Sequence, residues 1–178
     1  VPGYPAYKNI LRALGVEVIE IPVGAETGFQ LNVEILSKLG VSLDGLIIAS
    51  PSNPTGSMLS EPCLREICNW CAAHKVRLIS DEIYHGITFQ QKAISALKFN
   101  KDAIIINSFS KYFSMTGWRI GWMVLPDNLI RTIECLAQNF FISPPTLSQL
   151  AAISVFDCTD ELDANVERYR CNRDVLLE

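Results

Sequence analysis

Three short, nearly unbroken apolar runs, Gly45 to Ser50, Val76 to Ser80 and Ala103 to Asn107, each give way abruptly to polar residues. Runs of this length and composition read as strands buried on both faces, and the stretch between the first two has helical rhythm. Strands alternating with helices imply a mostly parallel sheet covered by helices, with ligands bound beyond the carboxyl ends of the strands. A fourth strand is expected over Arg119 to Leu125. The loop before it, Ser108 to Gly117, is short for a parallel crossover, so this strand is expected to run antiparallel to the third. The expected fold is α/β, a three-layer α/β/α arrangement with a mostly parallel sheet and one antiparallel strand.

Other elements follow from local signals. Ala6 to Leu14 reads as a helix, and Val16 to Val23 alternates apolar and polar residues as a strand does, with a loop over Ala25 to Gly28. A short helix is expected over roughly Val33 to Leu39. Ser60 is placed to cap a helix over Glu61 to His74, with Pro62 in its first turn. Pro51-Ser-Asn-Pro-Thr-Gly56 can continue neither as helix nor as strand. Beyond Pro126 the pattern is helical, over Asp127 to Asn139, Pro145 to Phe156 and Glu161 to Glu178. No internal repeat or low-complexity segment interrupts it.

With 178 residues, 49% of them hydrophobic, the chain is long enough to bury a core. Charged residues make up 19%, the net charge is -4, and no run of five like charges occurs, so a nucleic acid or a membrane surface is a poor partner for it. A small neutral or anionic ligand suits it better. The apolar runs fall far short of the roughly 20 residues of a membrane span, and no signal peptide opens the sequence, so a cytosolic location is expected. The chain starts at Val1 and is expected to be a piece of a longer protein. Cys68-Asn-Trp-Cys71 has the form of a redox or zinc pair, but both cysteines lie on the stripe Leu64, Ile67, Cys68, Cys71, Ala72 and no second pair completes a metal site. These thiols are expected to be small core residues.

Asn53, Asp81 and Lys111 each follow one of the three apolar runs. If those runs are parallel strands of one sheet, the three side chains gather along one edge. Pattern alone leaves two readings open for an amide, a carboxylate and a lysine so placed: a structural ion pair or a ligand site.

The surrounding segments are more specific. Pro51-Ser-Asn-Pro-Thr-Gly56, Asp81-Glu-Ile-Tyr84 and Ser108-Phe-Ser-Lys-Tyr112 followed by Thr116-Gly-Trp-Arg-Ile-Gly121 closely resemble the fold-type-I, class I/II aminotransferases that depend on pyridoxal phosphate. The likeness covers nearly the whole chain, and it rests on register: 28 residues from Asn53 to Asp81, three from Asp81 to Tyr84, eight from Lys111 to Arg119. Residues 1–140 are then expected to be most of the cofactor-binding large domain, and 141–178 to be helices leading toward a small domain.

The resemblance implies a role for each residue. Lys111 holds pyridoxal 5'-phosphate as an internal aldimine and moves the proton at the substrate Cα. Asp81 faces the pyridine nitrogen and keeps it protonated, which makes the ring an electron sink. Asn53 and Tyr84 donate hydrogen bonds to the phenolic oxygen. Ser108 and Arg119 bind the phosphate, a forked permanent cation suiting a dianion, with Ser110 beside them. Tyr4 stacks on the pyridine ring. Cis peptide bonds are implied at Asn53-Pro54 and at Val1-Pro2. His85 has no partner motif for a catalytic base and is expected at the rim of the site.

Nothing in the chain matches the family's amino-terminal glycine-rich turn or the carboxyl-terminal arginine that grips the substrate carboxylate. Family members share their site across a homodimer. The chain in isolation is therefore expected to bind cofactor weakly and turn over poorly. The reaction implied is transfer of an amino group between an amino acid and a 2-oxo acid. Competing readings are a carbon–sulfur lyase using the same cofactor, the aminotransferase-like sensor domain of a transcription regulator, and a catalytically silent assembly module. Met115-Thr-Gly-Trp-Arg-Ile-Gly-Trp122 favours transaminases over lyases, and nothing basic or helix-turn-helix-like supports a regulator. Fold alone decides none of these.

Overall fold

The computed structural model describes all residues from Val1 to Glu178. In chain order the elements are α1 (Pro5–Ala13), α2 (Val33–Ser37), β1 (Gly45–Ala49), α3 (Glu61–His74), β2 (Arg77–Asp81), β3 (Ile104–Ser108), β4 (Gly121–Val124), α4 (Asp127–Phe140), α5 (Thr146–Ser154) and α6 (Thr159–Leu177). The fold is α/β. Its single sheet has the order β1-β2-β3-β4, with the first three strands parallel and β4 antiparallel to β3.

Burial alternates along the strands as the pleat requires. Leu46, Ile48, Leu78, Ser80 and Ile105 are buried, whereas Ile47, Ile79, Ile104 and Ile106 on the opposite face are only half-buried. Helix α3 covers the first face with Leu64, Ile67, Cys68 and Cys71, which join Leu36, Leu46, Leu78 and Ile105 in one core cluster. Both cysteines are fully buried and all six cysteines are free thiols. Burial pushes the Cys68 thiol up to about 11 and the Cys71 thiol up to about 12, which suits inert packing residues rather than a reactive pair. No group of three or more His, Cys, Asp or Glu residues is arranged to hold a metal ion.

Helix α3 starts as the sequence suggests. The Ser60 hydroxyl accepts from the Cys63 amide (3.4 Å), Pro62 occupies the first turn, and the helix ends at Lys75 in the left-handed conformation. Helix α2 is capped in the same way by Asn32, whose side chain accepts from the Ile35 amide. Gly121 opens β4 because a Cβ there would lie 2.6 Å from the carbonyl oxygen of Asn107 on the paired strand.

One expected strand does not form. Val16 to Val23 is outside the sheet and has no strand partner; its only ties to another extended segment are the bonds of the Val23 amide and the Ile21 carbonyl with Val1. Alternation reports a chain with one apolar side, and a strand also needs a neighbouring backbone, which among residues 1–178 this segment meets only at Val1. Its side chains are still used: Ile21 packs against the core, and Glu20 pairs with Lys8 (3.0 Å) and Arg12 (3.1 Å) of α1.

The loop between β3 and β4 holds one short 3-10 turn, Thr116–Trp118. Phe109 and Met115 within it are buried and form a second small cluster with Ala152 of α5. Phe109 also meets Phe113, Trp122 and Phe156 at ring separations of 4.9, 4.9 and 5.8 Å. No helix is long and apolar enough to cross a membrane.

Candidate active site

The parallel strands β1, β2 and β3 point their carboxyl ends in one direction, and the register sets Asp81 level with Ala49 on one side and Ile106 on the other. A cleft of about 120 Å³ opens at this edge, lined by Tyr4, Tyr7, Ala49, Pro51, Asn53, Asp81, Ile83, Tyr84 and Lys111. Five of the residues singled out from the sequence thus share one wall, although they span 108 positions of the chain from Tyr4 to Lys111, counting both ends.

Each is delivered by a different local device. Asp81 is the last residue of β2 and is buried, with Oδ1 accepting from the Ile83 amide (3.1 Å) and Oδ2 from the phenol of Tyr7. Asn53 stands in the turn after β1, where the Ser52 amide donates to the Ser57 carbonyl (3.0 Å) and the Gly56 amide to that of Ser52 (2.7 Å). The peptide bonds Ser50-Pro51, Asn53-Pro54 and Val1-Pro2 are cis. Tyr84 follows Asp81 by one turn of chain. Lys111 hangs between the buried anchors Phe109 and Met115, whose backbones are tied to each other (3.0 Å), and its ammonium lies 5.4 Å from the centre of the Tyr84 ring.

The polar groups on this wall differ in how the fold uses them. Asp81 is engaged by two donors, but a carboxylate has about four acceptor positions, so it can take a further N–H from the cleft. The side chains of Asn53, Tyr84 and Lys111 make no hydrogen bond within the chain, and no buried side-chain polar atom anywhere lacks a partner. Two hydrogen-bonding side chains and an amine without internal work therefore face one small cleft closed by a carboxylate. A flat aromatic ring with an N–H at one edge and an oxyanion at another fits this donor set, and pyridoxal phosphate is such a ring.

Ser108, Ser110 and Arg119 lie off that wall, Ser108 at the end of β3 and the other two on the loop that carries Lys111. The Ser108 hydroxyl accepts from the Ser110 amide (3.0 Å) and reaches the Ile120 carbonyl (3.5 Å); the Ser110 carbonyl accepts from the Thr116 hydroxyl (2.7 Å). Arg119 is exposed, sits in the left-handed region with φ 51°, and donates only to the Thr116 carbonyl (2.9 Å), with no ion-pair partner. A guanidinium without an ion-pair partner, on a residue held at positive φ, is chemically suited to an anion.

Two features were missed in the sequence. Tyr7 sits one helical turn after Tyr4, its ring edge-on to that of Tyr4 at 5.5 Å, and its phenol reaches Asp81. Burial first, and then the bond to Asp81, push the Tyr7 phenol well above its ordinary value, so it is a neutral donor. The Tyr-x-x-Tyr spacing was the available signal. His85 is the second. It is not a rim residue: its side chain is only 20% exposed and is wedged between Glu82 and the Ser50 carbonyl. A larger cleft of about 500 Å³ adjoins the first, shares Pro51, Asn53 and Tyr84 with it, and is bounded by Phe89 and Arg173.

Comparison with known proteins supports the same assignment. The chain is 48% identical over 181 residues to a valine–pyruvate aminotransferase of Mycobacterium tuberculosis, covering 99% of this chain and 47% of that protein. It is 40% identical over 167 residues to a (5-formylfuran-3-yl)methyl phosphate transaminase of Methanocaldococcus jannaschii, covering 92% and 42%. A solved aminotransferase structure from Mycobacterium tuberculosis superposes with a TM-score of 0.94 at 48% identity, over 99% of this chain and 49% of that one. The chain thus spans about half the length of the curated relatives it matches. A family model described as aminotransferase class I and II matches residues 1–178, so with the cleft, the sheet and these relatives in agreement, the chain belongs to the class I and II aminotransferases.

Proposed function

We propose that the full-length polypeptide is a pyridoxal-phosphate-dependent aminotransferase that exchanges an amino group between an amino acid and a 2-oxo acid. The observation that carries this reading is the convergence of Asn53, Tyr84 and Lys111, all without internal hydrogen-bond partners, on a cleft closed by Asp81. When bound, the cofactor supplies a sink for the electron pair left at the substrate Cα. The remaining work falls to the chain. Lys111 Nζ would hold the cofactor at its aldehyde carbon and would take the proton from the substrate Cα and return it. Asp81 accepts from the ring N–H and favours its protonated form. Asn53 and Tyr84 would donate to the phenolic oxygen, Tyr4 would pack against the ring, and Arg119 with Ser108 and Ser110 would hold the phosphate.

In this reading residues 1–140 form the cofactor-binding part and 141–178 lead toward a small domain, with the working unit a homodimer. The larger adjoining cleft is open to the substrate side chain in this reading. Valine with pyruvate is the first pair to assay, because the relative at 48% identity is named for it. The test is to load the full-length protein and its Lys111→Ala variant with pyridoxal phosphate, reduce with borohydride, and map the adduct by peptide mass. Adduct confined to Lys111 and missing from the variant is expected; label scattered over surface lysines in both proteins overturns the assignment. Release of ammonia and pyruvate from a cysteine conjugate, without amino transfer, would replace transamination by elimination.

A further inference from the structure

Glu82 and His85 take no part in the roles assigned above, yet they form a linked polar pair in which Glu82 is buried. Glu82 is 3% exposed. Its Oε1 accepts from the Ser80 hydroxyl (3.0 Å) and from the Ala96 amide (2.9 Å), while Oε2 lies 3.5 Å from Nδ1 of His85. The other ring nitrogen, Nε2, is 3.1 Å from the carbonyl oxygen of Ser50, 35 residues earlier in the chain. A carbonyl oxygen only accepts, so Nε2 is the donor in that contact. The ring therefore spans from an anchored carboxylate to the backbone of Ser50, which joins β1 to the Pro51–Gly56 turn.

What the span connects gives it a function. Ser50 is three residues before Asn53, and His85 is next to Tyr84, so the two cleft side chains without internal partners are carried on segments that the imidazole joins. Other bonds tie these segments only at the strand ends, the last of them from the Ser50 amide to the Asp81 carbonyl (3.2 Å). Beyond them, His85 is the side chain that links the turn holding Asn53 to the segment holding Tyr84. Anchored below by Ser80 and Ala96, Glu82 fixes the ring from the sheet side. Donor positions in a site must be held to within a fraction of an ångström to be effective, which calls for supporting contacts of this kind.

We propose that Glu82 and His85 are positioning residues that set the separation of Asn53 and Tyr84 across the cleft, and through it the strength of their joint donation to an oxyanion bound there. This rests on the proposed function. Both donors would stabilise the phenolic oxygen anion of a bound cofactor and so hold down the pH at which Lys111 Nζ, once joined to it, gives up its proton. Loosening the brace weakens the donation and moves that pH upward.

The experiment uses the full-length, cofactor-loaded protein and follows its visible absorption band against pH. His85→Phe keeps the ring shape and removes both contacts; its midpoint is expected to rise by about one unit, with kcat/KM falling roughly tenfold. His85→Gln keeps a donor for the Ser50 carbonyl and is expected to recover most of the wild-type midpoint. Glu82→Gln, which retains the acceptor for Ser80 and Ala96, is expected to shift the midpoint in the same direction by less, and it serves if His85→Phe does not fold. A midpoint unmoved in the folded variants, with only a lower melting temperature, overturns the proposal and leaves a purely structural role. If the wild-type protein itself shows no band that titrates and no adduct at Lys111, the functional reading fails instead.

Discussion

Tyr7 and Asp81, 74 residues apart in sequence, are joined by a hydrogen bond from the phenol to Oδ2 of the carboxylate, while the Ile83 amide holds Oδ1. The carboxylate is therefore oriented at both oxygens before anything enters the cleft. A donor to a charged acceptor contributes roughly 1.5–3 kcal/mol. Tyr7→Phe is predicted to lower kcat/KM of the loaded protein by roughly tenfold by leaving Asp81 less well oriented, while Asp81→Asn, which removes the charge itself, lowers it by at least about a hundredfold. Steady-state kinetics on both variants decide this, and a Tyr7→Phe protein with wild-type rates would mean that the Ile83 amide alone orients the carboxylate.

Arg119 separates backbone strain from ligand chemistry. Its φ of 51° is costly for a residue with a Cβ, of the order of 1 kcal/mol, and its guanidinium makes no ion pair to offset this. Arg119→Gly should therefore raise the melting temperature of the apo protein slightly while weakening cofactor binding. Arg119→Lys keeps charge but loses the fork, and should weaken binding by roughly tenfold or more. Calorimetry for stability and a fluorescence titration for the cofactor give the two readings independently. A glycine variant that binds as tightly as wild type would remove Arg119 from the phosphate site.

Gly121 tests the packing of the Lys111 loop. A methyl group there would meet the Asn107 carbonyl at 2.6 Å, and that atom is main chain and paired across β3 and β4, so it cannot move aside cheaply. Gly121→Ala is expected to cost about 1–3 kcal/mol, as overpacking does, and to shift the Phe109 and Ile120 backbones that are joined at 3.2 Å next to it. Urea unfolding measures the first effect, and a loss of adduct yield at Lys111 reports the second. An unchanged unfolding midpoint would show that the strand pair can relax.

Much of this architecture is legible in the residues because it depends on short-range chemistry. The apolar runs that become β1, β2 and β3, the Ser60 cap with Pro62 behind it, and the antiparallel turn into β4 each follow from signals within a dozen positions. That Asn53, Asp81 and Lys111 share an edge follows from three strands being parallel. The Val16 to Val23 segment misleads because alternation specifies a side, not a partner. Tyr7 and His85 were hidden for a related reason: each acts by a contact at a sequence separation of 74 or 35, and no local pattern marks which aromatic or imidazole will meet a carboxylate or a carbonyl.

The cysteines of α3 give a pH-dependent prediction with a definite sign. Cys68 and Cys71 have thiols raised from 9.0 to about 11 and about 12, burial being the largest cause. Below pH 9 both states of the protein hold these protons, and the thiols add no pH dependence. As pH rises past 9 the unfolded chain releases them while the folded one does not, so stability falls until the folded values are reached, by roughly 1.4 kcal/mol per pH unit per thiol at most. The full-length apo protein should accordingly lose urea stability between about pH 9 and about pH 11, and Cys71→Ala should show a shallower loss from a lower starting point, since removing the buried sulfur also costs packing. Iodoacetamide under native conditions should label exposed Cys171 and spare Cys68 and Cys71 until the protein unfolds. Native labelling of Cys71 near neutral pH would show that α3 opens readily, and the same slope in the alanine variant would assign the alkaline loss to other groups.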